Sequence, residues 1–368
     1  MENNKENYEH KHYTHKKDMK DADAVAYAFV NDKKAVFFPY KQPELRPDEI
    51  RANILYAGLC LSDSKTVRSK WGPAKYPIAP GHEIIGEVVE LGKDVKDFKK
   101  GDKVAFGTMR HCCGECKYCK LEKEPLCNNP KEDKFTFGEY WGGYSTQLQQ
   151  PANFFFKLPQ KLDYKRAAPL LCAGITMYNP IKMHLKKGMK TAVIGIGGLG
   201  HLGVQFLSKM GYEVSAVSSS LSKEKMIKEL GANEVIDGSS EESLKEHNNK
   251  FDFIINTIPV SDNFEKYLKL TAPGGFFCQV GMPCVDEKIS FTINTLVFNE
   301  ITLVGSLVGS RSILKEMLEL CADKDIYPMV EEFDFSDFEK AFDTLENGRP
   351  KFRCIVKVED YAKKNNLK

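Results

Sequence analysis

Cys113, Cys116, Cys119 and Cys127 follow the spacing C-x2-C-x2-C-x7-C. Four thiolates this close in sequence can close around one tetrahedral Zn²⁺ with every ligand position filled, which leaves no place for a substrate and reads as a structural site. Cys112 adjoins the block, and the regular spacing favours Cys113 over it. Further on, Gly195, Gly197 and Gly200, with Gly198 and Leu199 between the last two, form G-x-G-x-x-G inside VIGIGGLGHLG. A strand is expected to run there into a tight turn and a helix start. Such a turn brings backbone close to a pyrophosphate, and the helix N-terminus supplies N–H donors. The next strand is expected to end at Ser218, Ser219 and Ser220, with Lys223 just beyond. A carboxylate about here would hold a ribose 2′-hydroxyl. Hydroxyls and an ammonium suit a 2′-phosphate instead, so the turn reads as NADP rather than NAD.

Positioning these groups takes two kinds of architecture. From about residue 25 to 110 the chain shows short β runs broken by Gly and Pro (RANILYAG, IIGEVVELG, GDKVAFG), the pattern of a compact β-rich domain. Residues 111–130 are a Cys- and Lys-rich lobe with little periodicity. Past Ala167, strands alternate with helices: KTAVIGIGG, LGVQFLSKMG, EVSAVSSS, SKEKMIKELGA, EVID, FDFIINTI and GFFCQVG. That alternation predicts βαβ units and a parallel, doubly wound sheet, so the fold class is α/β. Helices in SILKEMLELCADK and FEKAFDTLENG and a closing strand FRCIVKV follow, and the tail DYAKKNNLK is expected to fray. The expected division is a polar, disordered extension over 1–24, a β-rich domain over 25–174 and 310–368, and a nucleotide-binding domain over 175–309.

The chain has 368 residues, enough for two cores. A net charge of +2 offers no footprint for nucleic acid, and no apolar run is long enough to span a membrane. The first residues lack the apolar core of a secretory signal, so a cytoplasmic location is expected. The eleven cysteines then argue for metal or free thiols rather than disulfides. Cys278, Cys284, Cys321 and Cys354 read as apolar core thiols. The N-terminal His10, His12 and His15 read as part of a solvated extension.

Cys60, His82 and Cys172 lie too far apart for spacing to join them; a resemblance does. GHEIIGEVVELGKDV fits G-H-E-x2-G-x5-G, and GLCLSD, KYPIAPGHE, the cysteine block, LLCAGITMY and VIGIGGLG follow in one order. Over roughly residues 25–358 the chain resembles zinc-containing medium-chain alcohol dehydrogenases. The triple serine, KYPIAPGHE and GSLVGSRSILKEMLE point to the cinnamyl alcohol dehydrogenase-like branch. The resemblance implies a GroES-like catalytic domain beside a Rossmann coenzyme domain, two Zn²⁺ per chain, and NADP(H). It implies a catalytic zinc on Cys60, His82 and Cys172, with Glu83 as an occasional fourth ligand and Asp63 orienting His82. Ser62 would be the proton-relay hydroxyl. Lys65 stands where the family's relay carries histidine, a departure that leaves the rest of the relay unassigned. Trp71, Pro73, Leu307 and Val308 fall near substrate-pocket positions.

The implied reaction is reversible reduction of an aromatic or medium aliphatic aldehyde to a primary alcohol by NADPH, with zinc as Lewis acid. The implied assembly is a homodimer joined through EITLVGSLVG. The rival readings are an NAD-linked polyol or secondary-alcohol dehydrogenase, which the serines oppose, and a zinc protein that keeps the fold without activity. A nucleic-acid finger lacks support because the chain has no basic stripe and no paired finger histidines.

Overall fold

The computed structural model describes residues 22–131, 133–136, 141–259, 264–348 and 350–365. The first elements are β1 (Ala24–Phe29), β2 (Ala35–Tyr40), β3 (Glu49–Leu59), α1 (Leu61–Val67), β4 (Ile84–Leu91), β5 (Lys103–Phe106), α2 (Lys117–Lys120), β6 (Gln147–Pro151), β7 (Phe155–Lys157) and α3 (Tyr164–Ala167). Next come α4 (Ala173–His184), β8 (Thr191–Ile194), α5 (Gly200–Lys209), β9 (Val214–Ser218), α6 (Glu224–Glu229), β10 (Glu234–Asp237), α7 (Glu241–Lys245) and β11 (Phe251–Asn256). Then follow α8 (Phe264–Leu268), β12 (Thr271–Gln279), α9 (Ile293–Asn299), β13 (Thr302–Gly305), α10 (Arg311–Lys324), β14 (Val330–Asp334), α11 (Phe338–Glu346), β15 (Arg353–Lys357) and α12 (Glu359–Lys364).

The chain divides into two compact units. The first comprises the described residues of Met1–Cys172, Ser310–Glu319 and Met329–Lys368; the second is Ala173–Gly309 with Leu320–Pro328. In the first unit seven strands form one sheet in the order β14-β15-β3-β4-β5-β7, with β6 also paired to β3. Only β14–β15 is parallel; the other pairings are antiparallel. The eleven-residue β3 is its spine, bonded to β15, β4 and β6, and nine of its residues are buried. The hairpin β1–β2 packs its alanines and Phe38 and Tyr40 with Trp141.

The second unit holds six parallel strands in the order β10-β9-β8-β11-β12-β13. This is the 3-2-1-4-5-6 order of a dinucleotide fold, whose switch point lies beside the first strand. β8 (TAVI) is buried throughout because helices cover both faces of such a sheet, which explains its unbroken apolar run. Its core joins Ala192, Ile194, Val217, Ile254, Phe277 and their neighbours.

The structure corrects two boundaries. The tail expected to fray winds as α12 as far as Lys364. It is held by Lys357 Nζ to Asp360 at 2.7 Å, and by Tyr361 stacked on Phe37 and edge-on to Phe335. At the other end, β1 begins at Ala24, inside the expected extension; residues 1–21, with their three histidines, lie outside the described residues. None of the described helices is long and apolar enough to cross a membrane.

Candidate active site and metal centres

The cysteine lobe brings Cys113, Cys116, Cys119 and Cys127 together, and their sulfurs lie within 4.8 Å of one another. Cys113 and Cys119 Sγ are 3.9 Å apart, Cys116 and Cys119 3.5 Å, and Cys127 and Cys113 3.6 Å. Zn–S bonds of about 2.3 Å in a tetrahedron set sulfurs about 3.8 Å apart, so the group fits zinc as it stands. The backbone N–H of Cys119 holds the Cys116 thiol down to about 6, toward the thiolate a metal needs. Cys112 is outside the group, and burial raises its thiol. Two contacts tie the lobe to the start of α10: Arg311 Nε donates to Glu124 at 3.0 Å, and Ser312 Oγ donates to Glu122 at 2.9 Å.

The second group is Cys60, His82, Glu83 and Cys172, all buried, with one ligand atom from each within 4.8 Å of the others. Cys60 caps the N-terminus of α1 as the chain leaves β3. His82 and Glu83 immediately precede β4, and Cys172 follows the single helical turn Ala168–Leu171. β3 and β4 are paired over most of their length, which brings the first three residues together. Cys60 and Cys172 Sγ are 4.0 Å apart. A hydrogen bond from Cys172, helped by His82 and the Arg353 charge, holds the Cys60 thiol well below its usual range; that bond and burial push Cys172 up. Ligation takes both sulfurs as thiolates, and a divalent metal is the cation whose charge would hold such a buried pair deprotonated.

Asp63 organises this centre. Oδ1 accepts from His82 Nδ1 at 2.9 Å and from the Gly81 N–H at 3.2 Å. Oδ2 accepts from the Tyr144 hydroxyl at 2.7 Å and from the Cys60 N–H at 3.2 Å. With Nδ1 committed to Asp63, ligation falls to Nε2 of His82. Burial opposes a charged His82, but Asp63 and Cys60 outweigh it and raise the imidazole well above its ordinary value.

Glu83 is wholly buried. Its Oε1 accepts from Arg353 Nη2, which also donates to the Leu59 carbonyl at 3.1 Å. Glu83 Oε2 has no hydrogen-bond partner among the described residues, and one Glu83 carboxylate oxygen lies within 4.8 Å of the other ligand atoms. A Cβ at position 58 would stand 2.0 Å from Oε2, so Gly58 is what admits the carboxylate. Burial raises Glu83 to about 7, against the pull of Arg353. Arg353 and Tyr144 were not singled out in the sequence. A basic residue inside the apolar run FRCIVKV is the one signal that could have flagged Arg353, because a buried arginine needs an acid partner.

Ser62 Oγ lies 3.5 Å from Cys60 Sγ, on the first turn of α1. Lys65 Nζ sits 5.4 Å from the centroid of the Trp71 ring, a cation–π contact. Trp71 is half-buried and Pro73 exposed. In the second unit Leu307 is exposed and Val308 buried.

The glycine turn follows β8. Gly195 has φ +84°, and a Cβ on Gly200 would meet the Gly195 carbonyl at 2.0 Å. A Cβ on Gly197 would meet no protein atom within 4 Å. The chain itself therefore does not require glycine there, but a ligand lying against the backbone would. Gly198 and Leu199 complete the turn, and α5 starts from Leu199 without a side-chain cap, the His201 and Leu202 amides donating to the Gly197 and Leu199 carbonyls at 3.2 and 3.0 Å. Ser218 ends β9 with its hydroxyl turned onto the next residues, accepting from Ser220 N–H at 3.3 Å. Ser219, Ser220 and Lys223 are exposed beyond it, and Ser220 and Ser222 hydroxyls pair at 2.7 Å.

A dinucleotide sheet order, a four-cysteine lobe and a buried Cys–His–Cys–Glu centre together define a zinc-binding oxidoreductase. Residues 198–323 match the zinc-binding dehydrogenase family, and residues 46–160 match the alcohol dehydrogenase GroES-like domain. The chain belongs to the zinc-containing medium-chain alcohol dehydrogenases and is an enzyme of the alcohol dehydrogenase/aldehyde reductase class. It is 34% identical to aldehyde reductase AdhA of Synechocystis over 320 residues, 87% of this chain and 94% of the relative. It is 33% identical to cinnamyl alcohol dehydrogenase 5 of Arabidopsis thaliana over 331 residues, 88% of this chain and 92% of that one. Among solved structures, CAD from Helicobacter pylori complexed with NADP(H) superposes with TM-score 0.83 at 30% identity, covering 91% of this chain and 98% of the other.

Proposed function

We propose that the enzyme reduces aromatic or medium aliphatic aldehydes to primary alcohols with NADPH, and runs the reverse oxidation with NADP. The observation that carries the reading is the buried centre of Cys60, His82 and Cys172 in the first unit; in the second, the strand after the glycine turn ends in serines instead of a carboxylate. Relatives of matching length include an aldehyde reductase and cinnamyl alcohol dehydrogenases, and CAD from Helicobacter pylori was solved with NADP(H).

When bound, zinc on Cys60, His82 and Cys172 supplies Lewis acidity to a carbonyl oxygen, and NADPH supplies the hydride. The protein does the rest. Asp63 fixes the His82 ring and its tautomer. Ser62 presents the hydroxyl nearest Cys60 and is the group to pass a proton to the new alcohol. Glu83, balanced by Arg353, keeps a carboxylate at the centre that can approach or withdraw from it. Ser219, Ser220 and Lys223 receive the 2′-phosphate, where a carboxylate would repel it. Lys65, its Nζ 5.4 Å from the Trp71 ring centroid, stands where the family's relay carries histidine and is the candidate to continue the relay from Ser62. Trp71, Pro73, Leu307 and Val308 contribute apolar surface for a substrate larger than ethanal. The four-cysteine lobe holds the structural zinc.

A homodimer is part of this reading. Edge strand β13 has one side unpaired among the described residues, and α9 beside it in sequence buries none of its residues, leaving Phe298 82% and Val297 65% exposed.

The deciding experiment follows nicotinamide absorbance with NADPH or NADH across an aldehyde panel that includes cinnamaldehyde, before and after zinc chelation. NADPH oxidation lost on chelation and absent in Cys172→Ala, with nucleotide binding retained, is the expected result. Ser218→Asp should move preference toward NADH. Turnover that survives both chelation and Cys172→Ala would sink the assignment.

A further inference from the structure

The C-terminal end of α1 is fastened by a cluster that neither the metal ligands nor the relay explains. Ser64 Oγ donates to Glu346 Oε1 at 2.6 Å. Arg68, which caps the helix, donates from Nε to the same oxygen at 2.9 Å and from Nη2 to Oε2 at 2.7 Å. Its Nη1 donates to the Asp32 carbonyl, and its guanidinium lies 5.7 Å from the ring centroids of both Phe29 and Phe342. A single carboxylate on the last residue of α11 thus gathers three donors from one face of α1. Phe29 and Phe342, with Tyr27, Lys33, Glu339 and Asp343, line a small open cavity of about 160 Å³ over the pair.

The helix needs this fastening. α1 is seven residues long, well short of what holds itself in water. Its N-terminal turn is fixed by Asp63, which bonds Cys60 N–H, His82, Gly81 and Tyr144. Ser62 lies on that turn, and the Thr66 hydroxyl donates to its carbonyl at 2.9 Å. The C-terminal turn is held by Glu346 and by the Tyr76 hydroxyl, which donates to the Val67 carbonyl at 2.6 Å; of the two, only Glu346 grips side chains of the helix. We propose that Glu346, acting through Ser64 and Arg68, is a positioning residue for the reaction: it sets the pitch and direction of α1, and with them the placement of Cys60 and Ser62. Arg68 and Glu346 are each about three-quarters shielded, with side-chain exposures of 27% and 26%. Bidentate geometry gives the pair directional hold as well as attraction. The inference rests on Cys60 and Ser62 belonging to the reaction centre.

The test uses holoenzyme with Glu346→Ala, Glu346→Gln and Arg68→Lys. Misplacement of a reacting group by a fraction of an ångström costs one to two orders of magnitude, so Glu346→Ala is expected to lower kcat by about tenfold or more while KM for NADPH stays within about twofold. Glu346→Gln keeps an acceptor for Ser64 and is expected to recover part of that loss. With cobalt in place of zinc, the thiolate charge-transfer bands are expected to shift in Glu346→Ala, because Cys60 moves. A lowered melting temperature with wild-type kcat and wild-type cobalt bands would overturn the proposal. If Glu346→Ala does not fold, Arg68→Lys, which keeps the charge and loses the fork, must show the kcat loss and band shift in milder form, and its failure to do so overturns the proposal equally. Should the wild type turn over no aldehyde at all, the proposed function fails separately, and the cobalt bands alone decide the positioning role.

Discussion

Asp63 is the residue on which the buried centre depends most directly. Its two oxygens take four donors from three separate stretches of chain, and the side chain is fully buried. An amide cannot replace it, because whichever way the group is turned an N–H₂ meets a donor. Asp63→Asn is therefore expected to weaken metal retention at this centre by about 10–100-fold, read by competition with a chelator, while the four-cysteine site keeps its metal. The ligands were legible in the sequence because GHE and the first cysteine stretch sit in recognisable motifs. Tyr144 and Arg353 were not, since each meets the centre from a distant stretch of chain that no local spacing records. The same holds for Glu346, 282 residues from Ser64.

At the scale of elements, the cysteine lobe has little apolar core of its own. α2 buries none of its four residues, and Leu121 and Leu126 are exposed. Metal ligation is then the main force that folds the lobe, and its free energy is folding free energy. Cys119→Ala should lower the melting temperature and expose the lobe to proteolysis before it alters nucleotide binding; limited digestion followed by mass mapping reads this directly. Strand β10 offers a pH-dependent counterpart in the second unit. Glu234 accepts from His247 Nε2 and Lys250 Nζ, both at 3.0 Å. Burial raises its carboxyl, but those two partners outweigh it and bring it from 4.5 to about 2. A carboxyl depressed on folding stabilises the protein above its unfolded value and loses that contribution as pH falls through the folded one. Melting temperature should thus fall between about pH 4.5 and 2 in the wild type and less steeply in Glu234→Gln, measured by calorimetry across that window. Strand and helix identities in this unit followed from sequence because period and turn residues agree there. The C-terminal helix α12 did not, because its stability comes from Tyr361 packing on Phe37 and Phe335, contacts invisible along the chain.

For the whole molecule, the proposed homodimer makes a direct prediction. Phe298→Glu places a charge in the most exposed apolar side chain near β13 and should halve the mass seen in sedimentation, with the secondary structure unchanged. A wild type that sediments as a monomer would remove β13 and α9 from the assembly.

The first unit is discontinuous, and its closing strand has a bearing on how the protein is made. β15 pairs with β3, Ile355 opposite Gly58, and Arg353 at its start is the partner of Glu83. On the ribosome, Glu83 emerges some 270 residues before that arginine. The second unit is almost entirely contiguous and can finish folding while the chain is still growing. The buried carboxylate lacks its Arg353 counter-charge until that residue has been made. A nascent chain stalled short of residue 353 is expected to carry a finished nucleotide fold and a catalytic unit whose Glu83 still lacks its partner.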